Sequence, residues 1–340
     1  MKAMKVGVMG AGAIGCYAGG QLAATGHDVV FVGRQRIGDD VRAHGLTVID
    51  LQHRRRTVAA DRIVFATDAS ALADCDVVLC AVKSGGTADA AAKLAELLGR
   101  DAVIVSLQNG IHNAERLREA LAPRVVLGGI VGFNVISREG AVFQRTTSGP
   151  LVVEAHAAGD ALSAALLSAG FEIERPEDIA PKQWSKLMMN LNNAVSALSG
   201  APTRDLVLTA GYRKVLAAVI EEALRVLRAA KIRPARLGAL PVHVFPYALR
   251  LPTPIVKVVA RAQLKIDPEA RSSMWEDLEK RRLTEVDYLN GEIVALAKKV
   301  GTTAPLNERI VALVHDVEAR GEGSPKLSPE ALWKVIARSP

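Results

Sequence analysis

Residues Lys5 to Gly15 constrain the fold more than any other stretch. A short apolar run, Val6–Met9, leads into Gly10-Ala11-Gly12-Ala13-Ile14-Gly15, and a helix-compatible segment, Cys16 to Thr25, follows. In such a turn the first glycine permits a sharp reversal. The second lets backbone approach a pyrophosphate with no side chain in the way, and the third lets the helix pack closely on its strand. The helix N-terminus then offers free N–H groups and a positive dipole end to phosphate. A lone G-x-G-x-x-G is weak, because any tight strand-to-helix turn can produce one. Here a second apolar run, Asp28 to Val32, closes a β-α-β unit around it, the context a dinucleotide site requires.

The alternation continues. Apolar runs recur at Ile63–Phe65, Val77–Val82 and Val103–Leu107, with helical stretches such as Thr87–Leu98 between them. That order predicts a mostly parallel sheet with helices on both faces. Two later runs, Val125–Ile136 and Leu151–Val153, are read as extending it. From about Pro181 the pattern becomes helical, with candidates Trp184–Leu198, Tyr212–Ala230, Ile255–Leu264, Met274–Val300 and Asn307–Ala319. A Pro-rich connection, Pro234 to Pro254, is read as an ordered surface loop or pocket rim. The fold class is therefore an α/β Rossmann-type N-terminal domain, residues 1–178, plus an all-α C-terminal domain, residues 179–340, with an active-site cleft expected between them.

The 43 Lys+Arg exceed the 36 Asp+Glu by seven, but the cations are scattered among acids, and aromatics are only 4%. Stacking platforms for bases are scarce, so nucleic acid is not expected as a partner. An anionic cofactor and an acidic substrate account for a mildly basic balance. The run Arg54-Arg55-Arg56 is read as a solvated turn. Three cysteines, Cys16, Cys75 and Cys80, show neither metal-ligand spacing nor a disulfide framework, and no metal is expected. A reducing cytoplasm fits that usage. No apolar run reaches membrane-spanning length.

The second strand ends Phe31-Val32-Gly33-Arg34-Gln35-Arg36, without the acid that usually binds both ribose hydroxyls of NAD. Arg34 is placed to pair with a 2′-phosphate through charge-assisted, forked hydrogen bonds, which favours NADP over NAD. The plainer alternative is that Arg34 and Arg36 are exposed loop cations.

In the helical half, at about 100° per residue, Trp184, Leu187, Met188, Leu191, Val195 and Leu198 form one apolar stripe. Lys186, Asn190 and Asn193 share the opposite side, within an arc of about 60°. That side faces either water or a ligand. Further on, Leu278, Val286, Leu289, Ile293, Leu296 and Val300 are read as the stripe of one long helix, with Glu285 inside it. A carboxylate on a buried face is costly unless paired or used. The alternatives are an ion pair with Arg282 or a ligand-facing surface.

These residues also carry a resemblance. The chain resembles the ketopantoate reductase (2-dehydropantoate 2-reductase) family across both halves. The matching pieces are the glycine turn, Ala81-Val82-Lys83, Leu107-Gln108-Asn109-Gly110, Trp184-Ser185-Lys186-Leu187-Met188-Met189-Asn190, Ser272-Ser273-Met274-Trp275-Glu276-Asp277 and Arg282-Leu283-Thr284-Glu285-Val286-Asp287-Tyr288-Leu289-Asn290-Gly291. The resemblance implies NADPH-dependent reduction of a 2-oxo acid, ketopantoate in the type enzyme, feeding pantothenate synthesis. It implies Lys186 as proton donor, with Asn190 and Ser273 binding substrate. Lys83 and Asn109 would lie near the nicotinamide, Asn109 near substrate too, and Glu285 near both.

Three features depart from the family pattern. The asparagine usual eight residues after the catalytic lysine is Ala194 here, beside Asn193. A further family asparagine is replaced by Arg204, and the chain is longer through the Pro-rich segment before Ser272. All three concern the substrate side. Competing readings are a paralogous reductase of another 2-oxo acid and a non-catalytic NADPH-binding module. The apolar residues of the last helices are read as core or as the interface of a homodimer.

Overall fold

A computed structural model of the chain describes residues 4–236, 241–259 and 270–337. The chain divides into two compact units, Met1–Ile179 and Ala180–Pro340.

The first unit runs β1 (Lys5–Met9), α1 (Ala13–Ala24), β2 (Asp28–Val32), α2 (Gln35–His44), β3 (Leu46–Ile49), β4 (Arg55–Val58), β5 (Val64–Ala66), β6 (Val77–Cys80), α3 (Thr87–Leu97), β7 (Val103–Ser106), α4 (Asn113–Leu121), β8 (Val126–Val131), β9 (Val135–Arg138), β10 (Val142–Arg145), β11 (Leu151–Val153), α5 (Asp160–Ser168) and β12 (Ile173–Glu174). Eight strands form one sheet in the order β12-β11-β8-β7-β6-β1-β2-β5. Every neighbouring pair is parallel except β8 with β11. The side chains divide by strand alternation. Val6, Val8, Val29, Phe31, Val77 and Leu79 join the core on one face. Met9, Val30, Val32, Val78 and Cys80 join the core on the other, with Ala90 and Leu94 of α3 and Leu117 and Leu121 of α4.

A second sheet, β4-β3-β10-β9, was not read from the sequence. It changes two expectations. The run Val125–Ile136 is two strands: β8 stays in the main sheet, and β9 pairs with β10 in the second. The chain turns between them at Gly132, whose N–H donates to Pro150 O at 2.9 Å. A side chain there would meet that same oxygen at 2.4 Å. Arg55 and Arg56 are likewise not a solvated turn but part of β4, and Arg56 is half-buried.

Helix α1 lies against both sheets. A Cβ at Gly19 would come within 2.6 Å of Phe31 and 2.8 Å of Val8 of the main sheet. One at Gly20 would come within 2.4 Å of Leu46 and 2.7 Å of Val48 of the second. Hence α1 is buried from Gly15 to Ala23 with no polar face to offer water.

The second unit comprises α6 (Ala180–Asn190), α7 (Asn192–Ser199), α8 (Thr203–Leu208), α9 (Ala210–Ala229), α10 (Phe245–Leu249), α11 (Thr253–Val259), α12 (Ser273–Glu279), α13 (Asn290–Lys299), α14 (Pro305–Arg320) and α15 (Pro329–Ile336). The expected helix Trp184–Leu198 is interrupted at Leu191, yet Trp184, Leu187, Met188, Leu191, Val195 and Leu198 are all buried as one stripe. The expected helix Met274–Val300 is broken outright. After α12, Arg281 adopts a positive φ of 51°, and Arg282 N–H bonds back to Asp277 O at 2.8 Å, closing the helix end. Of the expected helix Ile255–Leu264, residues 260–264 lie outside the described residues, as do residues 237–240 of the Pro-rich connection. The described part of that connection holds the short helix α10. It is anchored by buried Arg213, which donates to Leu249 O at 3.0 Å, Leu251 O at 3.2 Å and Thr253 Oγ1 at 3.0 Å.

Candidate functional site

In the main sheet the chain runs outward from β1 through β2 to β5, then returns to the other side of β1 as β6 and continues to β7. Such a reversal opens a crevice at the carboxyl ends of the strands. The candidate residues of this unit follow those ends. The glycine turn follows β1, Arg34 follows β2, Lys83 follows β6 and Asn109 follows β7.

The three glycines have different neighbours. Gly10 has a φ of 103°, and a Cβ there would meet Val82 N at 2.6 Å and Ala81 C at 2.7 Å. A Cβ at Gly15 would meet Gly10 O at 2.3 Å. These two are required by the protein's own packing. Gly12 is exposed, with a φ of −92° that any residue adopts, and a Cβ there meets nothing within 4 Å. Nothing in the fold demands a glycine at that position, whereas a pyrophosphate laid on the backbone does. Gly12 is also the N-cap of α1 and brings no side chain to the first helical N–H groups, nor does the first turn carry an acid. Those donors are left for an anion. Ala11, Ala13 and Ile14 complete the turn, with Ala11 N–H bonded to Val32 O at 2.9 Å. The residues present fit a dinucleotide.

Gly33 draws the end of β2 onto this turn: a Cβ there would lie 2.6 Å from that of Ala11. Arg34 comes next, as the exposed N-cap of α2. Its neighbour Arg36 is engaged with Asp40 at 3.5 Å, while Arg34 has no ion pair among the described residues.

Lys83 is exposed and Asn109 half-buried. A buried polar cluster, absent from the sequence reading, ties their segments together. Ser84 Oγ donates to Asn109 O at 3.0 Å and accepts from Asn113 Nδ2 at 3.0 Å. Gln108 Nε2 donates to Thr87 Oγ1 at 2.7 Å, and Ser106 Oγ to Gln108 Oε1 at 3.1 Å. The Thr87 hydroxyl has two acceptors at 2.8 Å, Asn113 Oδ1 and Ser84 O, for one proton. The loops after β6 and β7 are therefore held to one another. The available signal was Gln108, a polar residue directly after the apolar run that ends at Leu107.

In the second unit, Lys186, Asn190 and Asn193 are all half-buried, opposite the buried stripe. The Lys186 side chain keeps some exposure, but the protein packed around the ammonium dominates, and burial lowers its pKa from the ordinary 10.5. Ala194 is fully buried. Arg204 is exposed near the start of α8.

The two serines before Met274 differ. Ser272 caps α12, accepting from Trp275 N–H at 3.2 Å and donating to Asn193 O at 3.1 Å. Ser273 is the first helical residue and is exposed. The Ser272–Asn193 bond ties the start of α12 to the start of α7. Glu285 does not sit on a helical stripe, because the break after α12 removes that helix. It precedes a short 3-10 turn, Val286–Tyr288, and is half-buried.

The cysteines are buried and free. Burial raises the Cys75 thiol to about 11 and Cys80 to about 12, so neither is a thiolate nucleophile near neutrality. Among the described residues no group of His, Cys, Asp or Glu is arranged to hold a metal ion, and no helix is long and apolar enough to cross a membrane.

A Rossmann unit with an open glycine turn, followed by a helical unit carrying a half-buried lysine beside amides, fits a dinucleotide-dependent oxidoreductase. The comparisons with known proteins place it further. Residues 6–158 match the family model described as ketopantoate reductase PanE/ApbA, and residues 178–318 match its C-terminal counterpart. The chain belongs to the ketopantoate reductase family. It is 30% identical to a 2-dehydropantoate 2-reductase of Archaeoglobus fulgidus over 94% of this chain and 99% of that one. Among solved structures, a PanE/ApbA family ketopantoate reductase from Ralstonia eutropha JMP134 has a TM-score of 0.80 and 32% identity, covering 94% of this chain and all of that one. D-mandelate dehydrogenase, solved with NADH and anilino(oxo)acetate, shares the fold at a TM-score of 0.77 and 20% identity, covering 94% of this chain and 99% of that one.

The contrast between Gly12 and Gly15 yields a test. Gly12→Ala should fold and melt at or slightly above the wild-type temperature, since alanine at a compatible φ stabilises by about 0.4–1 kcal/mol. Its affinity for a nicotinamide dinucleotide should nevertheless fall by about tenfold or more, roughly 1.4 kcal/mol. Gly15→Ala should lose melting temperature instead. Thermal melts and fluorescence titrations check both, and unchanged affinity in Gly12→Ala would remove the turn from the binding site.

Proposed function

We propose that this protein reduces 2-dehydropantoate (ketopantoate) to pantoate with NADPH, a step of pantothenate and coenzyme A biosynthesis. The observation that carries the reading is Gly12, a glycine that the fold does not need and a pyrophosphate does, in a chain of the ketopantoate reductase family. In this reading the backbone from Gly10 to Gly15 holds the pyrophosphate and Arg34 pairs with the 2′-phosphate. Lys83 and Asn109 sit near the nicotinamide, Asn190, Ser273 and Asn109 orient the 2-oxo acid, and Glu285 lies near cofactor and substrate. NADPH, when bound, would supply a hydride to C2 of the substrate. Negative charge then builds on the carbonyl oxygen, and the Lys186 ammonium stabilises it and donates the proton.

The lowered pKa of Lys186 sharpens that role, because an acid is more effective as its pKa approaches the working pH. It also sets a sign. Reduction needs the ammonium, so kcat should fall as pH rises through the lowered pKa, before the ordinary 10.5 is reached. In the same window the unfolded chain binds more protons than the folded one, so this group's contribution to stability rises with pH. Lys186→Ala should lower kcat by about 10²–10⁴-fold with little change in NADPH affinity. A near-normal kcat, or a pH profile unchanged by the substitution, would remove Lys186 from the mechanism.

Arg34 is tested separately. Arg34→Ala should weaken NADPH by about 10- to 150-fold, the equivalent of a lost charge-assisted bond of about 1.5–3 kcal/mol, and leave NADH nearly unaffected. Equal losses for both would show that Arg34 does not read the 2′-phosphate. A second substrate reading, a different 2-oxo acid, draws support from Ala194, which is fully buried and supplies no amide, and from exposed Arg204. A guanidinium in place of an amide favours an extra anionic oxygen, so kcat/KM for ketopantoate against 2-oxo dicarboxylates decides between them.

A further inference from the structure

The first unit contains a polar cavity, on the side of α1 that meets the second sheet. Its volume is about 160 Å³, and Tyr17, Gln21, Asp50, Arg56, Arg145 and Ala169 are among its lining residues. Tyr17 and Gln21 lie five and nine residues beyond Gly12, about 7 and 13 Å along the helix at its usual rise. The cavity is thus separate from the glycine turn.

The lining carries three guanidinium groups, those of Arg54, Arg56 and Arg145, against two carboxylates, those of Asp50 and the exposed Glu172. Asp50 is fully engaged, accepting from the N–H groups of Gln52 and Arg54 at 2.9 Å and from Arg54 Nε at 2.6 Å. Arg56 and Arg145 have only neutral partners. Arg56 Nη1 donates to Gln21 Oε1 at 3.2 Å and Ala169 O at 3.3 Å. Arg145 donates from Nε to Thr147 O at 3.0 Å and from Nη2 to Gly149 O at 2.7 Å, with its guanidinium 4.3 Å over the Phe133 ring. Neither forms an ion pair with a carboxylate among the described residues, although Arg145 is only 9% exposed. An uncompensated cation at that depth is costly unless an anion accompanies it. The Tyr17 hydroxyl accepts from Gln21 Nε2 at 3.1 Å and is also hydrogen-bonded by the Arg145 side chain, which leaves its own proton to donate. Burial raises its pKa, so that proton stays on at neutral pH.

We propose that this cavity is a binding site for a small carboxylate, held by the guanidinium groups of Arg56 and Arg145 and the hydroxyl of Tyr17. Guanidinium donors suit the two oxygens of a carboxylate. The volume equals about five waters, room for a short carboxylate. Leu51 and Ala169 in the lining suit a short carbon skeleton.

The test is calorimetric titration of the full chain with succinate and, in parallel, with inorganic phosphate, each with and without saturating NADPH. Saturable binding of succinate at one equivalent to this site is expected, tighter than phosphate. Arg56→Gln should weaken it by about tenfold or more, Tyr17→Phe should weaken it measurably, and Lys186→Ala should leave it unchanged. Tyr17→Phe removes one hydroxyl from a packed ring, so it keeps the test informative if Arg56→Gln melts early. Absence of saturable succinate binding, equal binding in wild type and both cavity variants, or loss of binding in Lys186→Ala would each overturn the proposal. Because the cavity lies apart from the residues assigned to reduction, failure here leaves the proposed activity standing, and inactivity toward ketopantoate leaves this site standing.

Discussion

The first unit depends on how closely α1 approaches the strands around it. Its glycines let the helix sit where any side chain would collide: Gly15 against the carbonyl of Gly10, Gly19 against Val8 and Phe31, Gly20 against Leu46 and Val48. That approach fixes the helix N-terminus beside the carboxyl end of β1. The fixed N-terminus leaves Gly12 and the N–H groups that follow it open to an anion. The same helix carries Tyr17 and Gln21 to the second sheet, so one packed element shapes both the glycine turn and the polar cavity beside that sheet. Enlarging a residue on either glycine face would push the helix out of register with both sheets at once, a large penalty in interiors that are close-packed.

The parts of this arrangement that could be read from the residues share a property. Strands β1, β2, β6 and β7 are uninterrupted apolar runs because both faces of the main sheet are covered, so each announces itself. The second sheet does not. Its strands are four residues long, and β4 carries Arg55 and Arg56, which looks like a solvated turn until Gln21 and Ala169 O are seen to receive Arg56. No local pattern encodes a partner that arrives from 35 or 113 residues away.

The helical unit shows the complementary error. The apolar period from Leu278 to Val300 survives the break after α12, because Leu278, Val286, Leu289 and Ile293 are buried on both sides of it, with Leu296 and Val300 half-buried. What ends the helix is Arg281 at positive φ, a position more often held by glycine or asparagine. Without that marker Glu285 looked like a buried helical carboxylate, when it stands in the turn before Val286. The stripe opposite Lys186 was legible, since burial follows period directly. The depression of the Lys186 pKa was not, since it arises from packing that periodicity leaves unspecified.

The central claim is that hydride passes from NADPH to the carbonyl carbon of a 2-oxo acid, and the most direct measurement follows that atom. NADPH carrying deuterium at both C4 positions, incubated with ketopantoate and the protein, should yield pantoate with one deuterium at C2, visible by mass spectrometry and proton NMR. Pantoate without label, or NADPH consumed with ketopantoate unchanged, would contradict the account.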